Sequence, residues 1–174
     1  GLFLDGICYE AGDYSGPMGA RSILRNENVQ AGILETARGG ILRRGLAVQS
    51  ANVAAVTNIS ADHFGEYGIH DLSGLADVKL TVARAVEKNG VLVLNADDPE
   101  LMKKADRFQC RHAYFSMVEN NRHIDELKKN GGTVCQLVGG HLLLDGVDLG
   151  VVADMPLSMG GSAKYNIENL AAAA

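Results

Sequence analysis

Between Leu72 and Val86 the apolar positions Leu72, Leu75, Ala76, Val82, Ala83 and Val86 recur at the spacing of one helix face, with Lys79 in the middle of the stripe. Asp77, Thr81, Arg84 and Lys88 take the other side. The pattern predicts a helix over Ser73 to Lys88 that directs an ammonium at its own core. Elsewhere the periodicity is that of strands. Val29 to Glu35 and Val53 to Asn58 are apolar runs that end in polar residues, which predicts buried parallel strands with functional groups at their carboxyl ends. Val91 to Leu94 and His112 to Met117 predict two more. Thr133 to Val138 and His141 to Leu144 flank Gly139-Gly140, a two-residue hairpin signal. Short helices are expected over Gly16 to Asn26, Gly39 to Val48, Asp98 to Ala105 (with Pro99 in its first turn), Arg122 to Asn130 and Lys164 to Ala174. The fold class that follows is α/β, a mostly parallel sheet flanked by helices with a small antiparallel hairpin portion.

Composition narrows the function classes. The 174 residues are 47% hydrophobic, enough for a single core burying roughly 70% of the unfolded surface. A net charge of −5 with no basic run beyond Arg43-Arg44 argues against a nucleic-acid partner. No apolar stretch approaches the ~20 residues that cross a bilayer, so no membrane partner is expected. Cys8, Cys110 and Cys135 are odd in number and lack metal-ligand spacing. Reduced thiols and the lack of a secretory leader point to the cytoplasm.

Lys79 is the first candidate for chemistry. A buried ammonium must shift its pKa, snorkel, find a counter-ion or be covalently altered, because desolvating an unpaired charge costs several kcal/mol. The two expected strand ends would offer Glu35, Asn58, Asp62 and His63 to one crevice, a donor set that suits a hard divalent cation such as Mg²⁺ if oxygens dominate. Structural readings stand beside these. Lys79 could snorkel or join a salt bridge, Glu35 could cap a helix, His63 could be a turn histidine, and Asp98 before Pro99 is an ordinary helix cap.

Leu34-Glu-Thr-Ala-Arg-Gly-Gly-Ile-Leu-Arg-Arg-Gly45, then Val56-Thr-Asn-Ile-Ser-Ala-Asp-His63, then Lys79, then Val93-Leu-Asn-Ala-Asp-Asp-Pro99 resemble, in order and spacing, the central ATPase domain of the Mur ligases, a P-loop NTPase-like fold. The Glu-Thr-Ala-Arg-Gly-Gly wording is similar to the cyanophycin synthetase branch. The resemblance implies ATP and Mg²⁺ as cofactors, with Glu35, His63 and a carbamylated Lys79 as the metal-holding and catalytic set. It implies Asn166, Asn169 and Asn95 on the nucleotide side, with Tyr165 where the family usually has histidine. Arg38, Asn58 and Asp62 would serve the substrate and its loop.

The reaction implied is ATP-dependent amide formation. A carboxylate takes the γ-phosphoryl group, ADP leaves, and an amine attacks the acyl phosphate, with arginine and a poly-aspartate acceptor as leading substrates. Peptidoglycan-precursor or folylpolyglutamate ligation is the enzymatic alternative, and a non-catalytic nucleotide-binding module is the alternative of another class. A homo-oligomer is left open. In the family a Gly-rich phosphate loop precedes the segment equivalent to Gly1 to Gly6, and a further domain follows the one equivalent to Ala174. Residues 1–174 are therefore expected to be a partial middle domain, inactive in isolation, whose partners include those missing parts.

Overall fold

The computed structural model describes residues 1–61 and 65–174, including the backbone but not the side chain of Glu66. Two strands, β1 (Leu2–Leu4) and β2 (Ile7–Glu10), open the chain as an antiparallel hairpin. Two short helices follow, α1 (Pro17–Leu24) and α2 (Arg38–Arg44). The main sheet has six strands in sequence order: β3 (Ala51–Val56), β4 (Val86–Asn95), β5 (Arg111–Ser116), β6 (Thr133–Val138), β7 (His141–Leu144) and β8 (Val147–Val151). The pairs from β3 to β6 are parallel, and the last two pairs are antiparallel.

Strand alternation builds a core on each face. Leu92 and Leu94 of β4 and Tyr114 of β5 face a cluster with Leu75, Leu101 and Ile124, which come from α3 (Leu72–Lys79), α4 (Pro99–Met102) and α5 (Arg122–Lys129). Phe115 of β5 points the other way, to Cys135, Leu142 and the Ile167 and Ala171 face of α6 (Lys164–Ala173). Buried among apolar neighbours, the Cys135 thiol is pushed up to about 11 and stays protonated at neutral pH. Helices on both faces of a largely parallel sheet are the expected α/β architecture.

The hairpin expected at Gly139-Gly140 forms, with Val138 opposite His141 and both glycines at positive φ. Asp145-Gly146 makes the same turn and adds β8, a strand absent from the sequence reading although Asp-Gly carries the same signal. At the β3–β4 step Gly90 lies so close to the neighbouring strand that a Cβ there would sit 2.6 Å from the Asn52 carbonyl oxygen. Only glycine passes at that point.

Two expectations fail. The helix foreseen over Ser73 to Lys88 ends as α-helix at Lys79, continues as a tight 3₁₀ segment over Leu80–Ala85, and yields to β4 at Val86, well before Val91. Val82 and Val86 belong to that departing chain, so the long stripe never forms one helix face. Val29 to Glu35 is not a strand. It finds no ladder partner among the described residues, and Ile33 is 100% exposed.

Candidate functional site

The carboxyl ends of the parallel strands are laced together by side chains. β4 ends at Asn95, followed by Ala96-Asp97-Asp98, and each polar residue of that turn reaches a neighbouring strand end. Asn95 is 6% exposed and donates through Nδ2 to the Thr57 carbonyl at 3.0 Å, while its Oδ1 accepts from the Asp97 amide at 2.9 Å. Asp98, 8% exposed, accepts from the Ile59 amide at 2.6 Å and, through its other oxygen, from the Glu100 and Leu101 amides at 2.9 and 3.1 Å. The expected helix cap is thus present, with a second bond to the loop after β3 added to it.

Asp97 turns toward β5. Its carboxylate accepts from the Ser116 hydroxyl (2.6 Å), the Met117 amide (2.6 Å) and the Asn121 side-chain amide (2.8 Å), and Asn121 also caps α5 through the His123 and Ile124 amides. Charge-assisted bonds of this kind are the stronger ones, and they fix loops at the edge where an α/β sheet binds its ligands. The sequence reading missed Asp97, Ser116 and Asn121 as a group. Their signal was present: short polar residues directly after apolar strands.

Lys79 occupies the same end. As the last residue of α3 it is half-buried, and Nζ donates to the carbonyl oxygen of the exposed Asn58 at 3.0 Å. The expectation of an ammonium sealed in the core is corrected here. Its helix stops at Lys79, so the side chain leaves over the strand-end loop and keeps access to solvent. The deeply buried lysine is Lys104, 3% exposed, whose Nζ meets Asp77 at 2.8 Å while Arg107 meets the same carboxylate at 2.9 Å. The bond from Lys104, aided by both positive charges, holds the Asp77 carboxyl below the ordinary aspartate range.

Lys79 and Asn58 are brought together, with Asn95 next to them through Thr57. Glu35 is not part of that group. It lies exposed on the rim of a separate cleft of about 860 Å³ lined by Leu2, Asp13, Tyr14, Ala20 and Ile33, because the strand that would have carried it to the sheet does not form. Asp62 and His63 lie outside the described residues. Arg38, half-buried, opens α2. Asn166 donates to the Leu157 carbonyl at 2.7 Å, and Asn169 is exposed one turn further along α6. Among the described residues, no three His, Cys, Asp or Glu side chains converge on a point that could hold a metal, and no helix is long and apolar enough to cross a membrane.

Comparison with known proteins covers nearly the whole chain. The profile described as the Mur ligase middle domain matches residues 14–174. Cyanophycin synthetases from Synechocystis sp. and Trichormus variabilis are 39% identical over 176 residues and 37% identical over 177 residues, each alignment taking in 99% of this chain and 20% of the relative. The chain therefore spans about a fifth of the length of these relatives. A shorter match, 42% identical over 65 residues, links 37% of this chain to 13% of the UDP-N-acetylmuramoylalanine--D-glutamate ligase of Chlorobium luteolum.

Proposed function

Because the chain belongs to the Mur ligase middle-domain family, we propose that it is the partial middle domain of an ATP-dependent, ADP-forming ligase that joins a carboxylate to an amine, adding arginine to a poly-aspartate acceptor. One observation carries the substrate assignment: similarity to cyanophycin synthetases runs over 99% of the chain, whereas similarity to the peptidoglycan D-glutamate ligase covers 37%. The rest of the reaction is assigned to other parts of a longer, cytoplasmic ligase.

The site residues fit this chemistry under one condition. With Lys79 as an ammonium, the strand-end loop presents a cation donating to a carbonyl, which repels Mg²⁺. As a carbamate, Nζ keeps one N–H, which can remain on the Asn58 carbonyl while two new anionic oxygens face the loop that continues to Asp62 and His63. Lys79 and His63 would then hold Mg²⁺, which neutralises charge on the phosphoryl oxygens when bound, and Glu35, on a separate cleft here, would join them only once residues 29–35 are carried to the strand ends. Asn58, Asp62 and Arg38 would orient the loop and the acceptor carboxylate, with Asn166 and Asn169 on the nucleotide side.

The test is ADP release by the full-length ligase. The reading expects release that needs both arginine and poly-aspartate, with amide product in equal amount. Turnover with a muropeptide and none with arginine would move the protein to the peptidoglycan branch. ATP binding without any amide product would favour a non-catalytic nucleotide-binding module.

A further inference from the structure

We propose that Asn95 and Asp98 are positioning residues for Lys79, acting through the backbone of the loop after β3. Three consecutive residues of that loop are each held by a different side chain. The Thr57 carbonyl accepts from Asn95, the Asn58 carbonyl accepts from Lys79, and the Ile59 amide donates to Asp98. The two outer holders are buried and fully committed. Turning Asn95 would also break its bond to the Asp97 amide, and turning Asp98 would uncap α4. The middle pair is the reachable one, Lys79 half-buried and Asn58 exposed.

A carbonyl lies in the one peptide plane that it shares with the following N–H, so the bond from the Ile59 amide to Asp98 fixes the plane of the Asn58 carbonyl. With Thr57 and Ile59 fixed, the Asn58 oxygen has one orientation, and it confines the Lys79 amine to one rotamer at the end of α3. Confinement matters for a lysine more than for most residues, since its long stem otherwise has many rotamers to lose on being ordered. Asn95 therefore acts inside the protein, on the loop, and not as a group that touches a nucleotide.

This inference rests on the carbamate reading given above. In that step the neutral Nζ lone pair attacks the carbon of CO₂, a C–N bond forms, one C=O electron pair moves onto oxygen, and one Nζ proton leaves to solvent. The remaining Nζ–H stays on Asn58, so the planar carbamate is held in one orientation.

The experiment is ¹³C NMR of this chain titrated with ¹³C-bicarbonate, following the Lys79 carbamate signal in wild type, Asn95→Asp, Asp98→Asn and Pro99→Ala, with folding checked by circular dichroism. Asn95→Asp puts an oxygen against the Thr57 carbonyl, and Asp98→Asn puts an amide against the Ile59 N–H. Both should raise the bicarbonate concentration for half-occupancy by roughly fivefold, the equivalent of one net hydrogen bond. Pro99→Ala weakens the same helix without touching the loop and should leave it unchanged. Wild-type half-occupancy in both folded clamp variants would overturn the proposal, as would an equal shift in Pro99→Ala. Absence of any carbamate in wild type would instead defeat the carbamate reading. The clamp is then judged by the order parameter of the Lys79 Cε methylene, which must fall in both clamp variants and hold in Pro99→Ala, and a value unchanged in the clamp variants overturns it too.

Discussion

Val29 to Glu35 and Val53 to Asn58 read alike as sequence, each an apolar run ending in polar residues, yet the structure treats them in opposite ways. The second becomes β3, pairs in parallel with β4, and has its following loop fixed by Asn95 and Asp98. The first lies along a cleft wall with Ile33 wholly exposed. A strand is a property of a pair, because its backbone groups gain little until a neighbour receives them. β4 supplies β3 with that neighbour and also with the side chains that organise its end. No described segment does so for residues 29–35.

The largest effect that would break this contrast is at Asp98. Asp98→Ala removes a helix cap and leaves the Ile59 amide without its acceptor, which should cost about 3 kcal/mol from the two losses together. Urea unfolding of the chain measures it, and a loss below about 1 kcal/mol would mean the loop is not held from β4. Lys104→Ala comes next. It strips the buried partner from Asp77 and should cost about 2 kcal/mol, less than a fully buried pair because Asp77 is half exposed, while Lys104→Met recovers most of that by refilling the space. The same pair sets an acid limit. Asp77 titrates below its unfolded value, so its contribution is present above about pH 4 and is lost as pH falls through the folded value, and Lys104→Met should flatten that arm of the stability curve.

The expected shift at His112 is smaller. Its Nε2 is buried without a partner, the ring stacks on Tyr114, and burial lowers its pKa against the weaker pull of the Phe108 backbone and Asp106. The unfolded chain takes up a proton first, so stability should decline as pH falls below about 6.5, and His112→Phe should remove that decline. The smallest effect sharpens the comparison from its other side. Glu35→Ala, on an exposed and unpaired segment, should leave the stability of this chain within about 0.5 kcal/mol, so any loss of ligase turnover it causes would report on chemistry alone.

Most of the sheet was legible because its signals are local. A continuous apolar run marked the inner part of β4, Gly139-Gly140 marked a hairpin, and Asp98-Pro99 marked a helix start by chemistry that needs no distant partner. Lys79 was legible only in part. Its place near Asn58 follows from the order of elements, but its burial was inferred from a periodicity that runs across a helix end, and the chain buries Lys104 instead. The lacing of Asn95, Asp97 and Asp98 to loops some 20 to 40 residues away could not be read from spacing, since it depends on which strands become neighbours.

Amide hydrogen exchange at Ile59 tests the central claim, that the loop after β3 is fixed by buried side chains of β4 and its turn. The account predicts that the Ile59 amide of this chain, relative to its own unfolded rate, is protected at least ~100-fold more than the amide of Ile33, and that Asp98→Asn removes most of the difference. Equal protection at Ile59 and Ile33 in the wild-type chain would contradict it.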